Sequence, residues 1–477
     1  MRSLHFPALA NAGAALLMAG CASTPPARGS GDINNLIVAR GAPAAAWPSD
    51  RAHSVVEADA NLLAAKTSEP ITVRSAVEIA FLRSPAIRAR YAELGISQAD
   101  VIEASEIPNP TFGYVSLGTE GGGPKQITRS VSLSFANLLF LPSRARVATA
   151  NREVARDRMA ESLLELQGEV ESAWYEYVAA LQSSRMRDAA ARATEASAEY
   201  ARRLSAAGNL PPRALAQELA AASQARIAAA RAAADATRNR AELATLVGLS
   251  TRGSWQAAHG LPALPATGLS QGALLELAVD SRLDVLAARR EVASFESVMR
   301  LTRWWRWFGD LEIGYERETE TDGARLRGPS FSLGLPIFKR SGVLRAQAEL
   351  ERARANLDQL ELSVRNDISL GLDRLAIARE IAEAYRQTLV PQREAVAQRT
   401  LEEVNFMLAG AFETLQAKRE QYEAYREYIE AVRDYWLARV QLRLATGGSL
   451  GDEAPGAEML ELETPATEAP RKHGEHE

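Results

Sequence analysis

For its length the chain contains few lysine, cysteine or aromatic residues. Of its 477 residues only 6% are aromatic, and the one cysteine excludes a disulfide within the chain. Lysine is so rare that arginine supplies nearly all of the positive charge, whereas alanine recurs throughout. The formal net charge is −5, and no basic face carries interleaved aromatic residues, so that a nucleic-acid partner is not indicated. Such a composition favours long helices over compact sheets.

Motifs for catalysis or cofactor binding are also missing. No nucleophile with a matching base and no dinucleotide fingerprint occurs, and the glycine run 121–124 lacks the strand-to-helix context of a phosphate loop. His53 and His259 have no partners at metal-ligand spacing. His473 and His476 lie in an acidic, proline-containing tail that reads as disordered, where weak metal binding is the alternative. The sequence therefore predicts a protein that is not an enzyme and holds no cofactor or structural metal.

The first 20 residues predict a secretory signal. A charged start is followed by an apolar stretch that is too short to cross a bilayer, and then by small residues before Cys21. Residues 17–21 resemble a bacterial lipobox, in which the cysteine becomes the acylated N-terminus; an ordinary signal with an incidental cysteine is the alternative. Since Ala22 and not aspartate follows, the resemblance implies sorting to the outer membrane. Several acyl chains would anchor that end firmly.

The chain repeats a pattern of elements after about 200 residues. Residues 80–87 align with 278–285, residues 112–114 with 313–315, and residues 130–133 with 330–333. Gly208, after a long helical run, aligns with Gly410. Each match alone is weak, but their nearly constant offset indicates an internal duplication. Each half is predicted to contain a helix, a hairpin, a very long helix, a tight turn and a further helix.

The long helices carry an unbroken apolar stripe with a spacing of three and four residues. Residues 143–206 contain no proline and could form one helix of roughly 95 Å. The counterpart at 342–408 meets Pro391, which is expected to kink it. Helices of this length pack along one another as coiled coils. They alone would also fit a rod-like scaffold.

The hairpins distinguish between these interpretations. Residues 130–135 and 330–335 alternate between small polar and apolar side chains, with partner strands at 111–117 and 311–317. Alternation of this kind is typical of a membrane β-barrel strand with lipid on one side and water on the other. Four strands cannot close a barrel, and open edges are not tolerated in lipid, so several chains must contribute. Their number does not follow from the periodicity.

Three glutamates are predicted to line the lumen of such a barrel. Glu312, Glu316 and Glu318 lie on the polar side of the third strand. An acidic lumen favours cations at short range, although simple wetting of the inner face is the alternative. Trp304, Trp305, Trp307 and Phe308 precede this strand and fit either an aromatic girdle at the membrane interface or packing between helix and barrel.

The duplicated hairpins between long helices, after a lipobox, look like the TolC-like outer-membrane efflux family. The pieces that carry the resemblance are 84–87, 107–110 leading into Phe112, 334–338 and 410–415. The resemblance implies a homotrimer whose 12 strands form one membrane β-barrel, continuous with a periplasmic α-helical barrel. Residues 135–144 are longer than their counterpart after the fourth strand and resemble only a subset of the family, so no substrate is transferred from a relative.

The resemblance also implies partners and a function. The chain is expected to be a passive exit duct of a tripartite efflux system in the outer membrane. A periplasmic adaptor and an inner-membrane pump, of the resistance-nodulation-division type, would dock at the helical tips. Gly208, Pro211, Gly410 and Glu413 are the candidate tip or gate residues, with a solvated turn as the alternative for Glu413. A duct for type I protein secretion, a lipid-tethered periplasmic adaptor and a coiled-coil scaffold remain open.

These interpretations divide the chain into five parts. Residues 1–20 are the signal, 21–70 a lipid-anchored extension, 71–268 the first repeat with its hairpin at about 109–140, 269–446 the second repeat with its hairpin at about 309–338, and 447–477 the tail.

Overall fold

A computed structural model of the chain describes residues 30–45, 66–107, 109–118, 120–258, 260–265, 271–305, 311–334, 341–448 and 450. Besides a short helical segment at 66–68, ten α-helices, one π-helical turn and four strands follow one another within these ranges. They are α1 (Ser30–Val38), α2 (Val73–Arg83), α3 (Pro85–Ser105), β1 (Thr111–Leu117), β2 (Gln126–Ser134), α4 (Phe135–Ala206), α5 (Pro212–Val247), α6 (Gln271–Ser281), α7 (Leu283–Trp305), β3 (Leu311–Thr319), β4 (Arg325–Leu333), α8 (Ser341–Ala384), the π turn (Tyr385–Leu389), α9 (Val390–Asn405) and α10 (Ala411–Ala445).

The two halves have the same order of elements. In the first half α2 gives way to α3 at Ser84, where Pro85 occupies the start of the new helix, and in the second half α6 gives way to α7 at Arg282. The last helix of each half ends at a glycine with positive φ, Gly248 at +74° and Gly447 at +85°. Each glycine lies against the residue at the corresponding helix break. A Cβ atom on Gly248 would come within 3.2 Å of Arg83, and one on Gly447 within 3.1 Å of Arg282.

Alanine at either glycine is expected to destabilise the fold. The left-handed backbone strains any residue with a Cβ atom, and the close approach to the neighbouring backbone adds a clash. Gly248→Ala or Gly447→Ala should each lower the free energy of unfolding by about 1–3 kcal/mol. Thermal unfolding followed by circular dichroism measures the loss. Gly272→Ala is the control, since Gly272 lies in a helix with nothing within 4 Å of a Cβ; an equal loss there would contradict the account.

The four strands form one antiparallel sheet in the order β1-β2-β3-β4. In the central pair, Val131 lies opposite Tyr315 and Ser132 opposite Gly314. The helices lie at one end of the sheet, because each hairpin is preceded by a helix and followed by a helix. After the first hairpin, α4 begins directly after Ser134. Phe135 is thus the first residue of α4 and not, as the sequence pattern suggested, the last of the strand. The predicted hairpin at 109–140 ends six residues early for the same reason.

The long helices are interrupted less than their prolines suggest. α4 spans 72 residues and includes Pro142 near its start, so it begins before the predicted Ser143. Pro391 does not end its helix either. The π turn directly before it loosens the hydrogen-bond ladder where proline lacks an N–H, and the helix continues as α9. Within the described ranges, no helix combines the length and apolar character needed to cross a membrane.

A cluster of buried aromatic side chains lies between α4 and α10. Trp174, Tyr175, Tyr435 and Trp436 are buried there, and the Tyr175 and Trp436 rings stack with centroids 5.3 Å apart. The Trp174 indole N–H donates to the backbone carbonyl of Ile71 at 2.8 Å, and the Trp436 N–H donates to that of Pro262 at 2.9 Å. Because buried indoles need a hydrogen-bond acceptor, these contacts fix the connecting segments onto the helices.

Candidate functional site

One face of the sheet is small, polar and acidic. Across the strands Glu312 lies between Ser134 and Ser332, and Gly314 between Ser132 and Ser330. Glu316 and Glu318 follow on the same face because side chains alternate along a strand. Gln126 of β2 donates a hydrogen bond to the Glu318 carboxylate. The three glutamates proposed for the lumen therefore share one face of a single strand.

The opposite face is apolar near the helices and exposed. Two cross-strand rows carry its large side chains, namely Leu133–Ile313–Phe331 and Val131–Tyr315–Pro329. Phe331 is 68% exposed and Tyr315 is 52% exposed. Contiguous exposed apolar surface of this kind marks a face that contacts lipid or another protein. The apolar face and the acidic face are the two sides of one sheet, which is the arrangement of a barrel wall between lipid and water.

The sheet has two unpaired edges within the described residues. β1 pairs only with β2, and β4 pairs only with β3. Open edges offer unsatisfied backbone N–H and C=O groups, which are costly where water is absent. A sheet of four strands with two open edges therefore fits part of a barrel.

The two helical tips have the same backbone arrangement, but the residues that correspond in the structure are not the ones that the sequence alignment paired. Gly208 has φ +76° and ends α4, whereas the residue with the same role after α9 is Met407, at φ +58°. Gly410 has φ −98° and precedes α10, the position that Pro211 has before α5. The alignment of Gly208 with Gly410 is therefore wrong. Glycine is favoured, not required, at a helix end of this kind, and in the second tip methionine takes the left-handed conformation.

Glu413 has a defined contact at the second tip. Its carboxylate accepts a hydrogen bond of 2.6 Å from the Gly410 backbone N–H and so caps the start of α10. The Phe412 ring packs against Tyr200 of α4 with centroids 5.2 Å apart, which joins the tip of the second half to the long helix of the first. Within one chain, Glu413 is therefore a capping residue in the first turn of α10.

The second tip also carries an apolar cluster that the sequence reasoning missed. Phe406, Met407 and Leu408 are 76%, 94% and 78% exposed. Met407 in addition holds the only positive φ of a non-glycine residue among the described residues. Exposed apolar side chains on a strained backbone point to a contact surface. The signal was present in the sequence, since three large apolar residues interrupt a helix that is otherwise polar at this end.

Several predicted features lie outside the described residues. They are the signal, Cys21, Trp307, Phe308, residues 335–338, His259, His473, His476 and most of the tail. For Trp304 and Trp305 the helix is described but the side chains are not. In the described part of the chain no three His, Cys, Asp or Glu side chains come together as a metal site.

A charged cleft lies beside the helix break of the second repeat. Glu161, Arg282, Asp284 and Asp367 line it. Arg282 forms an ion pair of 2.6 Å with Asp284 and donates a hydrogen bond of 3.0 Å to the Ala445 carbonyl. Burial, reinforced by the carboxylate of Asp284, raises the pKa of Glu161 to about 7, although Arg282 opposes the shift.

The raised pKa of Glu161 predicts a pH-dependent stability. The folded chain holds a proton on Glu161 that the unfolded chain releases from about pH 4.5, so stability is lost as the pH rises to 7. Glu161→Gln removes this loss. At pH 8 we expect the variant to be more stable than the wild type by about 1–2 kcal/mol, after allowance for solvent screening. At pH 4.5 the two should be equal.

Thermal unfolding at both pH values tests the Glu161 prediction. Glu169→Gln on the same helix is the control, since Glu169 is exposed. A stabilisation of Glu161→Gln that is the same at pH 4.5 and pH 8 would contradict it.

Comparison with known proteins supports the fold. No family model matches the chain. It is 23% identical over 333 residues to the cobalt-zinc-cadmium resistance protein CzcC of Cupriavidus metallidurans. The aligned region covers 68% of this chain and 78% of CzcC. The CmeC outer membrane channel of Campylobacter jejuni superimposes with a TM-score of 0.68 at 12% identity, covering 80% of this chain and 87% of CmeC.

The outer membrane protein VceC of Vibrio cholerae gives a TM-score of 0.64 at 17% identity, covering 79% of this chain and 96% of VceC. Both neighbours therefore match this chain over most of their own length. The duplicated order of helix, hairpin and long helix predicted from the sequence is the order in the structure. The chain has the fold of the TolC-like outer-membrane channels.

Proposed function

We propose that the chain forms a passive exit duct through the outer membrane, as one of three identical subunits. The observation that carries this proposal is the sheet, with an acidic polar face, an exposed apolar face and two open edges. Three copies would supply 12 strands and leave no edge unpaired, in agreement with the resemblance to the TolC-like family. The apolar face would then contact lipid and the acidic face would line the water-filled lumen.

The duct works with partners that supply energy and substrate. A periplasmic adaptor and an inner-membrane pump, of the resistance-nodulation-division type, deliver substrate to the helical end. The apolar tip at 406–408 supports an adaptor contact, because three copies around an axis would present a ring of exposed apolar side chains. The helices lie in the periplasm, and the acylated Cys21 adds a second anchor in the outer membrane.

Divalent metal cations are the substrate class that we propose first. CzcC is by its name a cobalt-zinc-cadmium resistance protein. In a trimer, Glu312, Glu316 and Glu318 would place nine carboxylates, three from each chain, along the lumen. Such a wall attracts cations and repels anions, most strongly at low ionic strength.

Conductance across planar lipid bilayers tests the duct. We expect the purified full-length protein to conduct and to prefer cations, which the reversal potential in a salt gradient measures. Replacing all three glutamates by glutamine should reduce this preference without preventing conductance, because the pore remains open while its fixed charge is lost. Ser130→Ala/Ser132→Ala on the same face is the uncharged control. A protein that extracts as a monomer and never conducts would overturn the proposal in favour of an adaptor or a scaffold.

A further inference from the structure

The charges of the sheet are separated completely between its two faces. The four strands contain three glutamates and four arginines, Arg129, Arg317, Arg325 and Arg327. Cross-strand pairing sets Arg129 directly opposite Arg317, and Arg317 directly opposite Arg327. Arg325 lies two residues from Arg327 and so faces the same way. All four arginines are on the apolar face, and all three glutamates are on the other.

The arginine row is unfavourable without a counterion. Like charges directly opposite on neighbouring strands repel each other. All four side chains are exposed, and their face carries no carboxylate. Among the described residues none of the four takes part in an ion pair, and the loop carboxylate of Asp322 accepts a hydrogen bond from the Ala324 backbone N–H instead. An anion bound along the row would relieve this repulsion.

The position of the row restricts what that anion can be. The arginines lie at the loop end of the strands, and the apolar rows Leu133–Ile313–Phe331 and Val131–Tyr315–Pro329 lie between them and the helices. Tyr114 is paired with Arg129 and continues the row into β1. A ligand that fits both parts needs acyl chains against the apolar rows and an anionic group at the arginines. Tyrosine and arginine at such a boundary are typical of a membrane interface.

We propose that this arginine row binds the phosphate groups of a phosphorylated glycolipid in the outer leaflet of the membrane. Guanidinium groups bind phosphate through two parallel N–H···O contacts, which makes arginine suited to this role. The inference rests on the proposed function, because the helices must lie in the periplasm for the loop end to reach the outer leaflet. It goes beyond that function in assigning a lipid-binding site to the outer wall.

The test measures lipid binding to full-length protein purified in dodecyl maltoside. The probes are bisphosphorylated lipid A, the same lipid A without its phosphates, and inorganic phosphate, and retained lipid is counted by native mass spectrometry. We expect lipid A to bind and the dephosphorylated form to bind at least tenfold more weakly. Inorganic phosphate should not displace lipid A at equal concentration.

Two matched triple variants identify the residues. Arg129→Gln/Arg317→Gln/Arg327→Gln should weaken lipid A binding at least tenfold. The control makes the same change of charge on exposed helical arginines, at Arg213, Arg226 and Arg399, and should bind like the wild type. Equal binding by the strand variant, by dephosphorylated lipid A or by inorganic phosphate would overturn the inference.

Conductance of the same samples separates the two proposals. A wild-type protein that conducts but does not bind lipid A overturns the lipid site alone. A wild-type protein that binds lipid A but neither assembles nor conducts overturns the duct. The strand variant is expected to conduct, because its three substitutions are on the outer wall.

Discussion

Replacing Phe331 by arginine is expected to abolish assembly in the outer membrane, whereas the same replacement of its neighbour Ser332 is expected to be tolerated. Phe331 lies in the middle of the apolar face and Ser332 on the acidic face of the same strand. An arginine that faces lipid near the middle of a membrane strand costs about 2–4 kcal/mol, and a trimer incurs the cost three times. An arginine at 332 would instead lie opposite Glu312 and could pair with it.

The two variants control for each other, because they add the same side chain at adjacent positions. The amount of heat-sensitive oligomer in the outer-membrane fraction measures assembly. We expect Phe331→Arg to lose nearly all of it and Ser332→Arg to keep most of it while conducting less. If both variants assembled equally well, or if Ser332→Arg alone failed, the assignment of lipid and lumen faces would be wrong.

The apolar tip gives the second large effect. Phe406→Ser/Leu408→Ser should leave the oligomer intact, since both side chains are exposed and bury little surface within the chain. Export, however, should fall at least tenfold when the chain is expressed with its pump and adaptor, because the adaptor loses its apolar contact. Intracellular accumulation of Zn²⁺, Co²⁺ or Cd²⁺ in metal-sensitive cells measures export.

Control variants at the same tip distinguish the loss of an adaptor contact from a change in the stability of the fold. Gln398→Ser/Glu402→Ser changes two exposed polar residues about two turns and one turn before Phe406 and should export normally. Met407→Gly should raise local stability by about 1 kcal/mol, because it relieves a left-handed backbone at a side chain with almost no burial. Full export by the double serine variant would show that the apolar tip is not the adaptor contact.

The sequence predicted the fold because its strongest signals are periodic. The stripe in α4 and the alternation in β2 and β4 each repeat over many residues, so that one atypical residue does not obscure them. Because the chain is duplicated, each element could be predicted twice, from different residues. The boundary at Phe135 was misplaced because a phenylalanine fits the alternation of a strand as well as the first turn of a helix.

The details of the tips and faces could not be predicted in the same way. The αL position of Met407 depends on how α9 ends, and no residue type requires that conformation, so the alignment chose the nearest glycine instead. The arginine row depends on the register between three strands. From the alternation alone each arginine can be assigned to a face, but only the pairing of Arg129 with Arg317 and Arg327 brings them into one row.

Cross-linking between the open edges tests the central claim most directly, namely that copies of this sheet complete one another. A cysteine at Val115 of β1 is combined in turn with a cysteine at Leu326, Gly328 or Ser330 of β4, all on the acidic face. If one barrel joins three chains, at least one pair should give, after mild oxidation and denaturation, a ladder that ends at the trimer. Variants with only one of the two introduced cysteines should give none. If every pair stayed monomeric, or the ladder continued beyond three chains, the barrel of three subunits would be contradicted.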